Sequence, residues 1–279
     1  MAGGGTIGLV AGAGRLPFEL ARGARGAGRR VAAVAFTGFA DPALAGEVDA
    51  IAWIRLGELG ALFDALREAG AREVLLAGNA PKQQLFAEPG LVRLDARGAA
   101  FLGALRDQSD DRILRALADA LEGEGLRVVS QAAYAGALLA PAGVLGAVAP
   151  SEAQRADVAW AWPIAKAVGR LDIGQTLVVK DRAVLAVEAI EGTDAAIRRG
   201  GALGRGGVVV IKIWKPEQDP RFDYPTVGPD TLAALVDAGA ALLAVEAGRT
   251  LVLAREALVR AADAAGIALL GVADAEDAP

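Results

Sequence analysis

TLVVKDRAVLAVEA, residues 176–189, holds two β-rich runs, Thr176–Lys180 and Ala183–Ala189, with only Asp181-Arg182 between them. A two-residue connection joins antiparallel neighbours, so this stretch predicts a hairpin. Working outward, Ser151 is placed to cap a helix reaching about Val168. Thr193–Arg199 reads as a short helix, and Val208–Trp214 as an apolar strand. Lys215–Gly228 holds Pro216, Pro220 and Pro225 and reads as irregular. Thr231–Ala238 and Glu256–Ala265 read as helices, Ala241–Glu246 with Thr250–Ala254 as a second β pair, and Ile267–Val272 as a last strand.

The first half has another rhythm. Strands at Thr6–Ala11, Arg30–Phe36, Ile51–Ile54, Glu73–Ala77 and Leu126–Ser130 alternate with helices at about Pro17–Gly26, Gly57–Ala69 and Asp110–Leu121, where Asp110 is a candidate N-cap. That alternation predicts a parallel sheet covered on both faces. The fold expected is therefore α/β: an N-terminal Rossmann-like domain (residues 1–135), a linker (136–150) and a mixed α+β catalytic domain (151–279). The uncharged run AAYAGALLAPAGVLGAVAP, residues 132–150, is broken by Pro141 and reads as a buried or linking segment, not as a membrane helix.

Composition excludes several chemistries. The chain has no histidine and no cysteine, which removes Ser-His-Asp catalysis, thiolate nucleophiles and His- or Cys-ligated metals. A metal would have to be a hard cation held by oxygen, Mg²⁺ or Mn²⁺ among them, and a general base would be Asp, Glu or Lys. A formal net charge of −5 argues against a general nucleic-acid binder. The N-terminus has no basic region before its first strand and reads as no signal peptide, which makes the cytoplasm the expected location.

Polar residues cluster between residues 169 and 228. Asp172, Asp181, Glu188, Glu191, Asp194, Glu217, Asp219 and Asp223 are interspersed with Lys180, Lys212 and Lys215, and short β-rich runs place several at strand ends. Thr193 and Asp194 also fit a plain helix-capping role. Asp223, between Phe222 and Tyr224 in the proline-rich loop, suits a metal ligand or base, or an Asx-type turn before Pro225. In the first half, Gly12-Ala13-Gly14 lies between a strand and a helix, where N–H groups favour an anion. Pro17 at the third glycine position and the absence of an acid after Phe36 break the dinucleotide fingerprint. Asn79 and Lys82, in GNAPK, follow another parallel strand and are expected at the same crevice.

The motifs GLVAGAGRLPFELA, LLAGNAPK, GRLDIGQTLVV…AVLAVEAIEGTDAAIRR, the D-x-P-T-V-G loop and AVEAGRTLVL resemble the LpxI family, the UDP-2,3-diacylglucosamine pyrophosphatases of lipid A biosynthesis, over nearly the whole chain. The resemblance implies hydrolysis of a lipid-linked UDP-sugar to UMP and 2,3-diacylglucosamine 1-phosphate (lipid X), with Mg²⁺ or Mn²⁺ required and water attacking the sugar-side phosphorus. It implies Asp223 as the essential aspartate, and Asp223 and Asp194 are the expected metal ligands. Glu188, Asp194, Lys212 and Lys215 are the other expected catalytic residues. Gly12, Ala13, Gly14, Asn79, Lys82, Asp172, Gln175, Glu191, Gly192, Thr193, Thr226 and Gly228 are the expected substrate contacts. It also implies loose contact with the inner membrane surface, involves no nucleic acid, and is compatible with a homodimer. Two other classes fit the residues: a non-catalytic sugar-nucleotide or lipid-binding module, and a nucleotide-dependent oxidoreductase.

Overall fold

A computed structural model of the chain describes residues 4–80, 88–105, 110–216 and 218–273, except the side chains of Pro89, Asp110 and Asp111. Lys82, Glu217 and the expected cap side chain of Asp110 lie outside the described residues. The chain divides into two compact units, Met1–Gly136 with Asp219–Asp223, and Ala137–Gln218 with Tyr224–Pro279.

The first unit contains β1 (Thr6–Ala11), α1 (Leu16–Gly26), β2 (Arg30–Phe36), β3 (Ala50–Ile54), α2 (Leu59–Glu68), β4 (Glu73–Ala77), α3 (Ala96–Ala104), α4 (Asp110–Gly123), β5 (Arg127–Val128) and the single turn α5 (Ala132–Ala135). Its sheet runs β3-β2-β1-β4-β5, with all pairs parallel. Val10, Val34, Ile54 and Leu76 pack with Leu62, Leu66 and Leu121 on one face, as the expected alternation requires. Phe222, from far along the chain, joins that core. The order reverses between β1 and β4, and the carboxyl ends of those strands carry Gly12 and Asn79.

The second unit begins at Ala137, so most of the expected linker belongs to it: Ala140 is a core residue and β6 (Gly143–Val144) pairs with the last strand. There follow α6 (Glu152–Arg170), β7 (Thr176–Lys180), β8 (Ala183–Val187), α7 (Thr193–Gly204), β9 (Val208–Lys212), β10 (Thr226–Val227), α8 (Pro229–Asp237), β11 (Ala240–Glu246), β12 (Leu251–Val252), α9 (Arg255–Ala264) and β13 (Ala268–Val272). Ser151 caps α6 through a capping box with Gln154. No helix among the described residues is long and apolar enough to cross a membrane.

The six-stranded sheet is mixed, in the order β6-β13-β11-β9-β7-β8. β7 and β8 form the expected antiparallel hairpin, and Asp181 and Arg182 both take positive φ, 50° and 56°, as a primed turn demands. The carboxylate of Asp157 on α6 accepts both turn N–H groups, at 3.0 and 2.8 Å. Contrary to expectation, Ala241–Glu246 does not pair with Thr250–Ala254: β11 lies parallel between β9 and β13, while β12 pairs with β10 in a separate two-stranded ladder. Helices precede and follow β11, and such crossovers impose parallel pairing. α7 also runs beyond Arg199, through Gly200 and Gly201, where a Cβ would lie 2.5 Å from Val178 and 2.4 Å from Ala238. The packing of this helix needs those glycines despite their low helix propensity.

Candidate functional site

Because β8 and β9 both run opposite to β7, the carboxyl ends of β8, β9, β11 and β13 share one edge of the sheet with the start of β7. Polar residues gather there, where open α/β sheets bind ligands. Thr176 stands in register with Lys212, and the Glu188 N–H donates to the Thr176 carbonyl at 2.9 Å. Three neighbouring strands therefore bring Thr176, Glu188 and Lys212 side by side, all buried.

Thr193, the first residue of α7, links them. Its hydroxyl donates to Glu188 Oε1 at 2.9 Å, accepts from Lys212 Nζ at 3.1 Å, and lies 3.4 Å from Thr176 Oγ1. Glu188 Oε2 is buried without a hydrogen-bond partner. A buried, unmet acceptor is costly, and such atoms concentrate where a ligand completes the bonding. Lys212 and the N-terminus of α7 both favour negative charge at this edge. Asp194 is in the first turn of α7, after Gly192 at φ 82°.

A second strand of polar contacts runs beside this cluster. Lys215 Nζ donates to Asp172 at 2.6 Å, the Lys215 N–H to Gln218 Oε1 at 2.8 Å, and Gln218 Nε2 to Gln175 Oε1 at 3.2 Å. Asp172 holds φ 54°, a position where side chains other than Asn and Asp are rare. Glu191 turns elsewhere: its carboxylate takes the Ala189 N–H at 3.1 Å and pairs with Arg199, whose guanidinium holds the carboxyl below its usual range. Thr226 opens β10 and donates to the Tyr224 carbonyl at 3.0 Å, and Gly228 caps α8.

The first unit holds the remaining expected residues. The Gly12 N–H donates to Ala77 O at 2.8 Å, and Ala13 and Asn79 exchange both backbone bonds, at 2.7 and 3.1 Å. A Cβ on Gly12 would lie 2.5 Å from Asn79 O, so glycine is required for this close approach. The Gly12 and Ala13 N–H groups are thus already engaged by the β4 chain, and Gly14 follows at φ 99°. Asp223 ends the segment that belongs to this unit, and its N–H donates to Asp219 O at 3.0 Å.

Sequence reading missed the residues that fix that segment. Gln131, 1% exposed, donates from Nε2 to Leu76 O at 2.8 Å and to Phe222 O at 3.0 Å, so it holds the peptide that carries Asp223. Ser130 Oγ donates to Pro220 O at 2.7 Å, and Arg221 bridges Asp219 and Glu122. It also missed Thr176, which looks like an ordinary strand residue, and Glu246. The signal for Glu246 was there: it is the one acid that ends the apolar run AALLAVE.

The chain matches known proteins along nearly its whole length. The LpxI N-terminal domain matches residues 6–138 and the LpxI C-terminal domain matches residues 141–270. The protein described as UDP-2,3-diacylglucosamine pyrophosphatase LpxI from Caulobacter vibrioides (strain ATCC 19089 / CIP 103742 / CB 15) is 41% identical over 285 aligned residues, covering 98% of this chain and 99% of that protein. The chain belongs to the LpxI family. A solved structure of glycinamide-RNase-transformylase T from Mycobacterium tuberculosis is 19% identical, covers 66% of this chain and 44% of its own, and superposes with a TM-score of 0.24, too low to carry an argument. Within the LpxI family frame, Thr176, Glu188, Thr193 and Lys212 all fall in the C-terminal domain match.

Proposed function

We propose that this chain hydrolyses UDP-2,3-diacylglucosamine to UMP and 2,3-diacylglucosamine 1-phosphate. The full-length match to the Caulobacter pyrophosphatase supports this reading most. Water adds to one phosphorus, the bridging P–O bond breaks, and the leaving phosphate takes the electron pair. The sugar-side phosphorus is our assignment for the attack. The chemistry needs positive groups on the phosphoryl oxygens and an acceptor to orient the water.

Lys212, oriented by the Thr193 hydroxyl at 3.1 Å, is suited to the phosphoryl charge. The unpartnered Glu188 Oε2 is suited to orient the water or take its proton. Lys215, held by Asp172 at 2.6 Å, adds a second cation, and Gln175 and Gln218 add polar contacts. Asp223 is the essential carboxylate of the reading. Gly12–Gly14 and Asn79 are our candidates for the nucleotide or sugar.

We propose Mg²⁺ or Mn²⁺ as the cofactor, with Asp223 and Asp194 as candidate carboxylate ligands. The donor types fit a hard cation, and no cluster of three or more Asp, Glu, His or Cys occurs among the described residues. Mg²⁺ is commonly held by one or two carboxylates with phosphate oxygens and water, so a sparse set is sufficient. When bound, the ion would offset diphosphate charge. A lipid-linked substrate also favours loose contact with the inner membrane surface. UMP release from UDP-2,3-diacylglucosamine, measured with and without EDTA, tests the reading: release that EDTA stops is expected, and no release from the folded protein overturns it.

A further inference from the structure

We infer that Leu171, Ile173 and Ile190 form the contact surface for the acyl chains of the substrate. This rests on the proposed function and goes further by naming the residues that recognise its lipid. The three side chains are 70%, 49% and 98% exposed. Single exposed aliphatics are ordinary, and Leu203 and Val236 on α7 and α8 need no explanation. These three differ because they occupy two adjoining turns at the edge that carries Glu188.

The hairpin register makes the turns neighbours. Leu177 pairs with Val187, the Glu188 N–H reaches Thr176 O, and a Cβ on Gly174 would lie 2.1 Å from Glu188 O. The turn that ends at Gly174 therefore meets the end of β8 at Glu188, two residues before Ile190. Both turns are fixed. The Asp172 and Ile173 N–H groups donate to Gly169 O at 3.0 Å and Val168 O at 3.4 Å, closing α6 in a Schellman arrangement. In that motif the apolar residue after the turn packs back on the helix, yet half of Ile173 stays uncovered. The second turn is closed by Gly192 N–H to Ala189 O at 3.2 Å and by the grip of Glu191 on the Ala189 N–H at 3.1 Å, which leaves Ile190 projecting from its apex.

Two hydrogen-bonded turns thus hold aliphatic side chains in water beside a buried polar cluster. A UDP-sugar bearing acyl groups presents that combination: charge for Lys212 and hydrocarbon for the rim. Burying side chains of this size against hydrocarbon is worth about tenfold in affinity or more for each one.

The test uses the intact protein with Ile190→Ser, with Leu171→Ser, and with all three replaced by Ser, on substrates with short and with long acyl chains dispersed in detergent. The inference expects KM for the long-chain substrate to rise about tenfold for Ile190→Ser and further for the triple variant. KM for the short-chain substrate and kcat on both should stay within about twofold of wild type. Equal KM for wild type and variants on the long-chain substrate overturns it. So does an equal rise on both substrates, which would mean the turns shape the polar site. Lost binding to phosphatidylglycerol vesicles with KM in detergent unchanged would assign the surface to a bilayer and overturn it as well. If wild type releases no UMP from either substrate, the proposed function fails instead.

Discussion

Glu246 accepts the backbone N–H of Trp214 at 2.8 Å from a fully buried position at the end of β11. The same oxygen takes Lys166 Nζ at 2.7 Å, while Oε1 has no hydrogen bond and lies 3.5 Å from Arg249 Nη1. The Trp214 ring meets Tyr224 edge-on at 4.7 Å, so Glu246 anchors one side of the stem from which residues 215–223 depart. Breaking a buried ion pair from one side typically costs about 3–5 kcal/mol, whereas replacing both partners by apolar residues is near neutral. Glu246→Ala should lose about that much stability, and Glu246→Met with Lys166→Met should recover most of it, as read by urea denaturation.

The Thr193 hub makes a kinetic prediction. Lys212→Met removes the cation beside the hydroxyl, and loss of a preorganised electrostatic group commonly costs about 10²–10³ in kcat. That loss, with secondary structure unchanged by circular dichroism, is the expected result. Full activity would remove Lys212 from the chemistry.

The hairpin turn carries a stability prediction that should leave turnover alone. Arg182 holds φ 56°, which favours glycine over any side chain. Arg182→Gly should raise stability by about 1 kcal/mol. Asp157→Ala should lower it by about 2–3 kcal/mol, because two turn N–H groups lose a charged acceptor. Thermal unfolding of both variants checks the pair.

Acid stability should depend on two carboxylates of the first unit. Burial alone would push the Asp219 carboxyl up, but hydrogen bonds from the Arg221 guanidinium and N–H outweigh it and hold it below the usual range. Arg29, at 2.6 Å, outweighs burial to hold Glu73 low as well, with Arg127 adding to it. A carboxyl lowered in the folded state stabilises the fold at pH above its unfolded value, about 4, and loses that contribution as pH falls through the folded value. Arg221→Met and Arg29→Met should therefore each move the acid-unfolding midpoint to higher pH, followed by tryptophan fluorescence.

The parts of the fold that local rules govern were legible in the chain. The βα alternation of the first half, the Asp181-Arg182 hairpin and the Ser151 cap follow from spacing and residue type alone. The pairing of β11 was not, because which strands flank it depends on the crossover helices and not on its own residues. Nor was the assignment of Asp219–Asp223 to the first unit: Phe222 reads as an isolated aromatic until the apolar set of Val10, Leu76 and Leu121 is seen around it. In the site, strand-end acids and lysines stood out, and Glu188 and Lys212 meet through Thr193. Thr176 and Gln131 gave no signal, since their role comes from register and from a contact 91 residues away.

The central claim is that carboxylate chemistry centred on Asp223 opens the diphosphate of UDP-2,3-diacylglucosamine. UMP release by wild type and by Asp223→Asn, measured side by side at equal folded concentration, tests it most directly. Steady release by wild type and a loss of at least about 10³-fold in the variant is the result expected. Release by Asp223→Asn at near the wild-type rate would contradict it.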